Sequence, residues 1–183
     1  MGALNRTIDK ANEALGQCLP CNAIIQSTEY LHSVTRSLLK TLRPPDLDEL
    51  GLETALENLV SNWKMAHPEI DCSLIIRGDS RTHSESINFL YYRAVQEGLV
   101  NIVRHSRADQ VSIELTFPIN DQDRSSLLKL TDNGIGMLES DTHNGGLGLI
   151  GLRERVLAVG GTFTVQSHQP SGVYLIIQTG NTS

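Results

Sequence analysis

The stretch Asp132-Asn133-Gly134-Ile135-Gly136-Met137 follows directly on residues 126–131, whose composition and alternation predict a β-strand. Glycines at two alternate positions allow a backbone to come close to a flat ligand, and an ionised Asp132 can accept a hydrogen bond from an exocyclic amino group. The combination suits an adenine ring. Asp-Asn-Gly after a strand is also an ordinary turn signal that requires no ligand.

A second polar group lies upstream, on a helix predicted over residues 85–105. On a continuous α-helix Glu97 and Asn101 share one face. Arg104 and His105 extend that face by a further turn. An amide oxygen is a suitable ligand for Mg²⁺, and a carboxylate nearby can orient a water molecule or accept a proton. An ordinary solvated helix face would have the same spacing.

A third group is the glycine-rich stretch of residues 145–155, which leads into a helix predicted over 148–159. Free amides at the start of a helix stabilise phosphate oxygens. The stretch is neither a Walker A loop, since no Gly-Lys-Ser/Thr follows, nor a dinucleotide fingerprint, since no βαβ unit surrounds it. By itself it could be a flexible connection. The three groups together, on a helix, a strand end and a loop entering a helix, predict a nucleotide site.

The periodicity of the remaining chain predicts an α+β fold in which helices cover one face of a sheet. Asp46 or Asp48 is expected to cap a helix that follows Pro44-Pro45 and stops near Pro68. Residues 120–126 are expected to form a hairpin loop. The predicted strands are residues 72–76, 111–117, 126–131, 162–167 and 173–178.

Residues 1–45 are predicted to form a helical hairpin. Its second helix, residues 22–42, carries Ile24, Leu31 and Leu38 at intervals of seven. Pro44-Pro45 ends that helix, because proline lacks an amide donor. A hairpin of two helices buries little surface alone, so we expect it to pair with a second copy as a homodimer. The second domain is then residues 46–183.

The composition of the chain excludes several further classes of function. The chain of 183 residues is 39% hydrophobic and 20% charged, with no apolar run near the roughly 18 residues of a membrane span. With no signal peptide recognisable, a cytoplasmic fragment without membrane contact is expected. The net charge of −6 and the absence of a Lys/Arg cluster argue against a nucleic-acid surface. Cys18 and Cys21 have CxxC spacing but no partner motif, so a turn with two thiols is expected.

Taken in chain order, the three groups resemble the N, G1 and G2 boxes of the histidine kinase ATPase superfamily: Glu97 with Asn101 is the N box, residues 132–137 are the G1 box, and residues 145–155 are the G2 box. The domain of that superfamily is the Bergerat-type two-layer α/β sandwich with a mixed sheet. The match covers about residues 72–180. Residues 38–52 and 151–156 are similar to the subfamily of bacterial two-component sensor kinases that signals to NarL-type response regulators. The resemblance implies the ATP-binding catalytic part of such a kinase, with a NarL-type regulator as partner and a parent protein that can be anchored in the inner membrane.

The resemblance also implies roles for individual residues. Asn101 would be the Mg²⁺ ligand for bound ATP, Glu97 the polar catalytic helper, and Asp132 the acceptor from the adenine amino group. Gly134 and Gly136 would floor the adenine pocket, and residues 138–147 would form a short lid. The other implied nucleotide-binding positions are Arg104, His105, Gly146, Leu147, Gly148, Leu149 and Gly151.

Two positions depart from the family's pattern. The phosphoacceptor box of the family, similar to Glu-Leu-His-Asp, is absent, and His32 lacks its context. We therefore expect that this chain holds no phosphoacceptor and does not autophosphorylate alone. Gly172-Val173 stands where relatives often have Gly-Thr, whose hydroxyl supports the adenine-binding Asp. The lost hydrogen bond would cost about 1 kcal/mol.

Two other classes of protein remain open from the sequence. The first is a regulatory module that keeps the fold, binds nucleotide poorly and controls a response regulator through dimerisation. The second is another relative with the same fold, such as an anti-sigma-factor serine kinase or a chaperone-type ATPase. The predicted hairpin ending in Arg43-Pro44-Pro45 argues against the second class, because those relatives have no such preceding element.

Overall fold

The computed structural model describes residues 44–118, 125–136, 147–167 and 171–180. The chain divides into two units, Met1–Arg43 and Pro44–Ser183, and all of the described residues belong to the second. Several predictions therefore lie outside the described residues and stay predictions. They are the hairpin before Pro44 with Cys18, Cys21 and His32, most of the hairpin loop at 120–126, and the lid over residues 138–146.

The described part of the chain alternates helices and strands in the order predicted. Three α-helices are present, namely α1 (Pro45–Ala66), α2 (Glu85–Asn101) and α3 (Leu147–Ala158). The five strands are β1 (Asp71–Arg77), β2 (Gln110–Thr116), β3 (Ser126–Asp132), β4 (Thr162–Ser167) and β5 (Val173–Thr179). A short 3-10 turn, Ser80–Thr82, precedes α2, and a π-helical turn, Ile102–Ser106, follows it. The predicted α+β class is confirmed.

The strands form one mixed sheet in the order β1-β2-β3-β5-β4. β1 and β2 are parallel, so the chain between them crosses over through α2, whereas the other three pairings are antiparallel. β3 is the central strand of the sheet, so the residues that follow Asp132 leave the sheet between β2 and β5. The G1 loop, defined here as residues 132–136, therefore lies at the end of the central strand.

One face of the sheet carries the core. The register sets Ile113 opposite Leu130, and Leu130 opposite Leu175, so alternate residues of β2, β3 and β5 share that face. All three are buried. Helix α1 packs along β1, α2 over β3 and α3 over β4. On the other face Glu114 stands opposite Lys129, and both side chains are partly exposed. The predicted two-layer sandwich is confirmed.

The start of α1 differs from the expectation. Its N-cap is Pro44, which makes no side-chain capping bond, and the first helical residue is Pro45. The fixed φ of proline suits that position, so the helix begins earlier than expected. Asp46 and Asp48 lie in the first turn, where their charges interact favourably with the helix dipole, and the expectation that either caps the helix is wrong. Gly51, at φ 81°, introduces a kink.

The end of α2 also differs from a regular helix. The α-helical hydrogen-bond pattern ends at Asn101, and residues Ile102–Ser106 form a single π-helical turn. The Ser106 hydroxyl donates to the Ile102 carbonyl oxygen (3.1 Å) and accepts from the Ala108 amide (3.0 Å). Arg107 then adopts a left-handed conformation at φ 54° and reverses the chain toward β2. The helix predicted over 85–105 is therefore α-helical only as far as Asn101.

Candidate functional site

Asp132 is the buried acid of the site. It ends β3, its side chain is 5% exposed, and its Oδ1 accepts a hydrogen bond from the Gly134 amide at 2.8 Å. Burial raises the pKa of Asp132, while hydrogen bonds from the amides of Gly134 and Val173 act in the opposite direction. The carboxyl group is thus held by the main chain in a partly desolvated position.

Val173 contributes to the site around Asp132 through its main-chain amide. Its amide donates to the Asp132 carboxyl group, so the acid is supported at this position without a threonine hydroxyl. The sequence departure at Val173 removes a side-chain donor but leaves this backbone donor in place. A backbone bond at residue 173 could not be inferred from residue type, because every residue except proline has the amide.

Glycines around Asp132 are required by close backbone contacts. A Cβ atom on Gly134 would lie 2.1 Å from the Ser106 carbonyl oxygen, and one on Gly172 would lie 1.9 Å from the Asp132 carbonyl oxygen. Both distances are far below a van der Waals contact. Gly136 and Gly172 also have positive φ angles of 82° and 102°, which side chains disfavour. Glycine at these positions therefore lets the main chain around Asp132 pack directly against neighbouring main chain.

The carboxylate of Glu97 meets the start of α3. A Cβ on Gly148 would lie 1.7 Å from Glu97 Oε1, so α3 begins directly against this half-buried acid of α2. Glu97 and Gly148 are far apart in sequence, and sequence reasoning assigned them to separate boxes. The structure brings the predicted N-box acid and the predicted phosphate-side glycine together.

A buried cation lies one turn before Glu97. Arg93 is 8% exposed, its Nη1 donates to Gln96 Oε1, and its guanidinium carbon lies 5.1 Å from the centre of the Phe89 ring. Burial lowers the pKa of Arg93, and Glu97 is close enough to act on it in the opposite direction. Sequence reasoning missed Arg93, because a basic residue on a helix is ordinarily a solvated one.

Arg104 and His105 lie on the π-helical turn and are exposed. The spacing that placed them on the face of Glu97 and Asn101 assumed 3.6 residues per turn. A π turn contains more residues per turn, so the shared face predicted from spacing ends at Asn101. Their part in binding a nucleotide stays a prediction.

The glycine-rich stretch is described only from residue 147 onward, and Gly146 lies outside the described residues. Leu147, Gly148, Leu149 and Gly151 belong to α3 itself, not to a loop before it. Leu149 is partly buried and packs against the hydrophobic core. A Cβ on Gly151 would meet no atom within 4 Å, so packing does not require glycine there.

The potential for metal binding rests on Asn101. Among the described residues, no group of three or more His, Cys, Asp or Glu side chains could hold a metal ion. Mg²⁺ usually takes one or two protein ligands and completes its shell with water and phosphate oxygens. A single half-buried amide on α2, one turn from Glu97, fits that kind of site.

A cleft elsewhere on the domain is unrelated to these residues. It lies between α1 and β1, has a volume of about 610 Å³, and is lined in part by Glu57, Lys64, Cys72 and Ile76. None of the predicted site residues lines it. Burial raises the pKa of the Cys72 thiol, which argues against a reactive thiolate there.

Within the described ranges no helix is both long and apolar enough to cross a membrane.

The mixed sheet, and the glycine-containing loop that follows the buried Asp132 at the end of β3, agree with the ATPase domain that the sequence resembles. Residues 87–180 match the family described as histidine kinase-, DNA gyrase B-, and HSP90-like ATPase. The chain belongs to this family, and the resemblance found in the sequence is confirmed.

Curated relatives are sensor kinases. The chain is 38% identical over 135 residues to the signal transduction histidine-protein kinase/phosphatase UhpB of Salmonella typhimurium, covering 74% of this chain and 26% of UhpB. It is 28% identical over 144 residues to the oxygen sensor histidine kinase NreB of Staphylococcus carnosus, covering 78% of this chain and 40% of NreB. The chain thus spans well under half the length of these relatives.

Solved structures share the fold at low identity. The histidine kinase domain of the Erythrobacter litoralis EL346 blue-light activated histidine kinase superposes with a TM-score of 0.56 at 20% identity, covering 70% of this chain and 60% of that chain. The mycobacterial sensor histidine kinase MprB gives a TM-score of 0.50 at 23% identity, covering 70% and 91%. At such identity the likeness supports the fold alone.

Proposed function

We propose that this chain is the ATP-binding catalytic part of a two-component sensor histidine kinase. In this proposal it supplies the γ-phosphoryl group to a histidine outside residues 1–183, from which the group passes to a NarL-type response regulator. Membership of the ATPase family and similarity to sensor kinases such as UhpB support the proposal. The observation that carries it is the buried Asp132, held by two main-chain amides at the start of a loop that contains Gly134 and Gly136.

Asp132 would select adenine. An ionised carboxyl group accepts hydrogen bonds and donates none, so it favours an exocyclic amino group over a carbonyl oxygen at the same place. Guanine presents a carbonyl oxygen where adenine presents an amino group. The burial of Asp132 strengthens the discrimination, because water competes less well for the carboxylate there.

Asn101 and Glu97 would act at the phosphate end. The amide oxygen of Asn101 would hold a Mg²⁺ ion, which would supply positive charge to neutralise the phosphates of the nucleotide. Glu97, one turn earlier on α2 and in contact with the start of α3, would orient the attacking imidazole or accept its proton. The remainder of the chemistry is positioning of the reactants.

Removal of the Asn101 amide tests the metal part of this proposal. We expect wild-type protein to bind a non-hydrolysable ATP analogue more tightly with Mg²⁺ than with EDTA. Asn101→Ala should lose about tenfold in affinity with Mg²⁺, since one ligand to a charged ion is removed, and little without it. Isothermal titration calorimetry with and without metal measures both values.

Asn58→Ala is the matched control, because it removes a side-chain amide from α1, a helix that carries none of the predicted site residues. The Asn58 amide makes an exposed hydrogen bond of 3.4 Å to Asp46. It should retain the full response to Mg²⁺. If Asn101→Ala also retained that response, Asn101 would not be a metal ligand.

A further inference from the structure

Asn133, the second residue of the G1 loop, joins that loop to the start of β2 through its side chain. Its Oδ1 accepts hydrogen bonds from the amides of Asp109 (3.1 Å) and Gln110 (3.0 Å). Its Nδ2 donates to Asp109 Oδ1 at 2.7 Å. One amide side chain therefore uses both of its ends on a segment 23 to 24 residues earlier in the chain.

The main chain of the loop is bonded to the same segment and to Ser171, which lies just before β5. The Ile135 amide donates to the Ser106 carbonyl oxygen at 2.8 Å, and the Asn133 amide donates to the Gln110 carbonyl oxygen at 3.3 Å. The Asn133 carbonyl oxygen accepts from the Ser171 hydroxyl at 3.2 Å. Residues 106–110 thus contact the G1 loop, and Asn133 is the side chain of the loop that bonds to them.

We infer that Asn133 is the positioning residue of the nucleotide pocket. It stands between Asp132, whose carboxyl group faces the proposed adenine, and Gly134, whose amide bonds that carboxyl group. A shift of Asn133 would move both neighbours. The segment it holds continues from the π-helical turn after Asn101, so Asn133 also ties the adenine end of the pocket to the phosphate end. The inference rests on the proposed role of Asp132.

The pair Asn133 and Asp109 permits a test by exchange. Asn133→Asp places a carboxylate oxygen where Nδ2 now donates, so two acceptors face each other across 2.7 Å. Asp109→Asn alone keeps an oxygen that can accept from Asn133. In the double variant, residue 109 donates and residue 133 accepts, which restores the hydrogen bond in the reverse direction. The two bonds that Oδ1 accepts are possible in all four proteins.

Binding of Mg·ATP and Mg·GTP to the whole chain should be measured by calorimetry for wild type, both single variants and the double variant. We expect Asn133→Asp to weaken Mg·ATP by about five- to tenfold, the effect of losing one hydrogen bond and adding a repulsion. The double variant should return to within about twofold of wild type, and Asp109→Asn should lose less than Asn133→Asp. Binding of Mg·GTP, which does not use Asp132, should change little throughout.

A merely structural role predicts a different result. If Asn133 only stabilised the fold, Asn133→Asp would lower the melting temperature and weaken both nucleotides equally, or leave affinity intact, and either result overturns the inference. A double variant no better than Asn133→Asp also overturns it. If Asn133→Asp does not fold, the double variant decides, since recovery of folding together with ATP preference supports the inference.

Failure of the proposed function would look different from failure of this inference. Absence of Mg·ATP binding by wild type overturns both. Wild-type binding that is lost in an Asp132 variant, without rescue by the exchange at residues 109 and 133, overturns only the role of Asn133.

Discussion

Replacing Asp132 by asparagine is expected to weaken binding of Mg·ATP by about 10- to 100-fold, the worth of a hydrogen bond to a charged group. Asparagine keeps an oxygen that can accept from the Gly134 amide, as Asp132 Oδ1 does at 2.8 Å. Its other end is a donor, which would face the amino group of adenine and repel it. Titration of a non-hydrolysable Mg·ATP analogue into Asp132→Asn and wild type measures the difference.

The same substitution should not destabilise the domain at neutral pH. Burial raises the pKa of Asp132 above the 3.8 of the unfolded chain. An acid with a raised pKa stabilises the fold at low pH, and that stabilisation is lost as pH rises through the folded-state pKa. At neutral pH the ionised carboxyl group is therefore a cost that asparagine does not carry. Urea unfolding at neutral pH should give Asp132→Asn a free energy of unfolding equal to or above that of wild type.

Asp71→Asn is the matched control, because it makes the same chemical change at an exposed residue at the start of β1. It should bind Mg·ATP as wild type does. Equal affinities of Asp132→Asn and Asp71→Asn would show that Asp132 does not contact the base.

Gly172→Ala is expected to have the largest effect on stability, a loss of about 2 to 4 kcal/mol in the free energy of unfolding. Its Cβ would lie 1.9 Å from the Asp132 carbonyl oxygen, and its φ of 102° is one that alanine disfavours. Because the atom in its way belongs to the main chain of Asp132, the strand end must move, and Mg·ATP binding should weaken as well. Urea denaturation and calorimetry measure the two effects.

Gly151→Ala, in the glycine-rich stretch of residues 145–155, provides the contrast to Gly172→Ala. A Cβ there meets no atom within 4 Å, and the residue lies inside α3. Alanine in a helix is favoured over glycine by about 0.5–1 kcal/mol, so this variant should be slightly more stable than wild type. A destabilising Gly151→Ala together with a silent Gly172→Ala would contradict the described packing.

The fold was largely predictable from the sequence because its strands alternate clearly. Val111, Ile113 and Leu115 on β2 are buried and their neighbours are not, so a period of two was visible in the residue types. The helix start at Pro45 and the π-helical turn at Ile102–Ser106 were not predictable in this way. A helix with one wider turn has nearly the same spacing of apolar residues as a regular α-helix, so the π-helical turn is not visible in the sequence. Which residue caps α1 depends on how the surrounding residues pack.

The predicted site residues could be found in the sequence, but the contacts among them could not. Asp132 and Gly134 are only two residues apart, and their chemistry follows from their order in a short motif. The meeting of Glu97 with Gly148, and the hydrogen bonds of Asn133 to Asp109, join residues distant in sequence. Such contacts depend on strand order and register, which one sequence does not specify. The role of the Val173 amide could not be predicted for another reason, since every residue except proline has a backbone donor and the residue type does not indicate which one is used.

The central claim is that Asp132 and the glycine-lined loop after it form a pocket for adenine. Calorimetric titration of the wild-type chain with non-hydrolysable Mg·ATP and Mg·GTP analogues tests this claim most directly. We expect the ATP analogue to bind at least about tenfold more tightly, because guanine carries a carbonyl oxygen at the position where adenine offers its amino group to the buried carboxyl group. Equal affinities for the two nucleotides, or no binding of the ATP analogue at millimolar concentration, would contradict the claim.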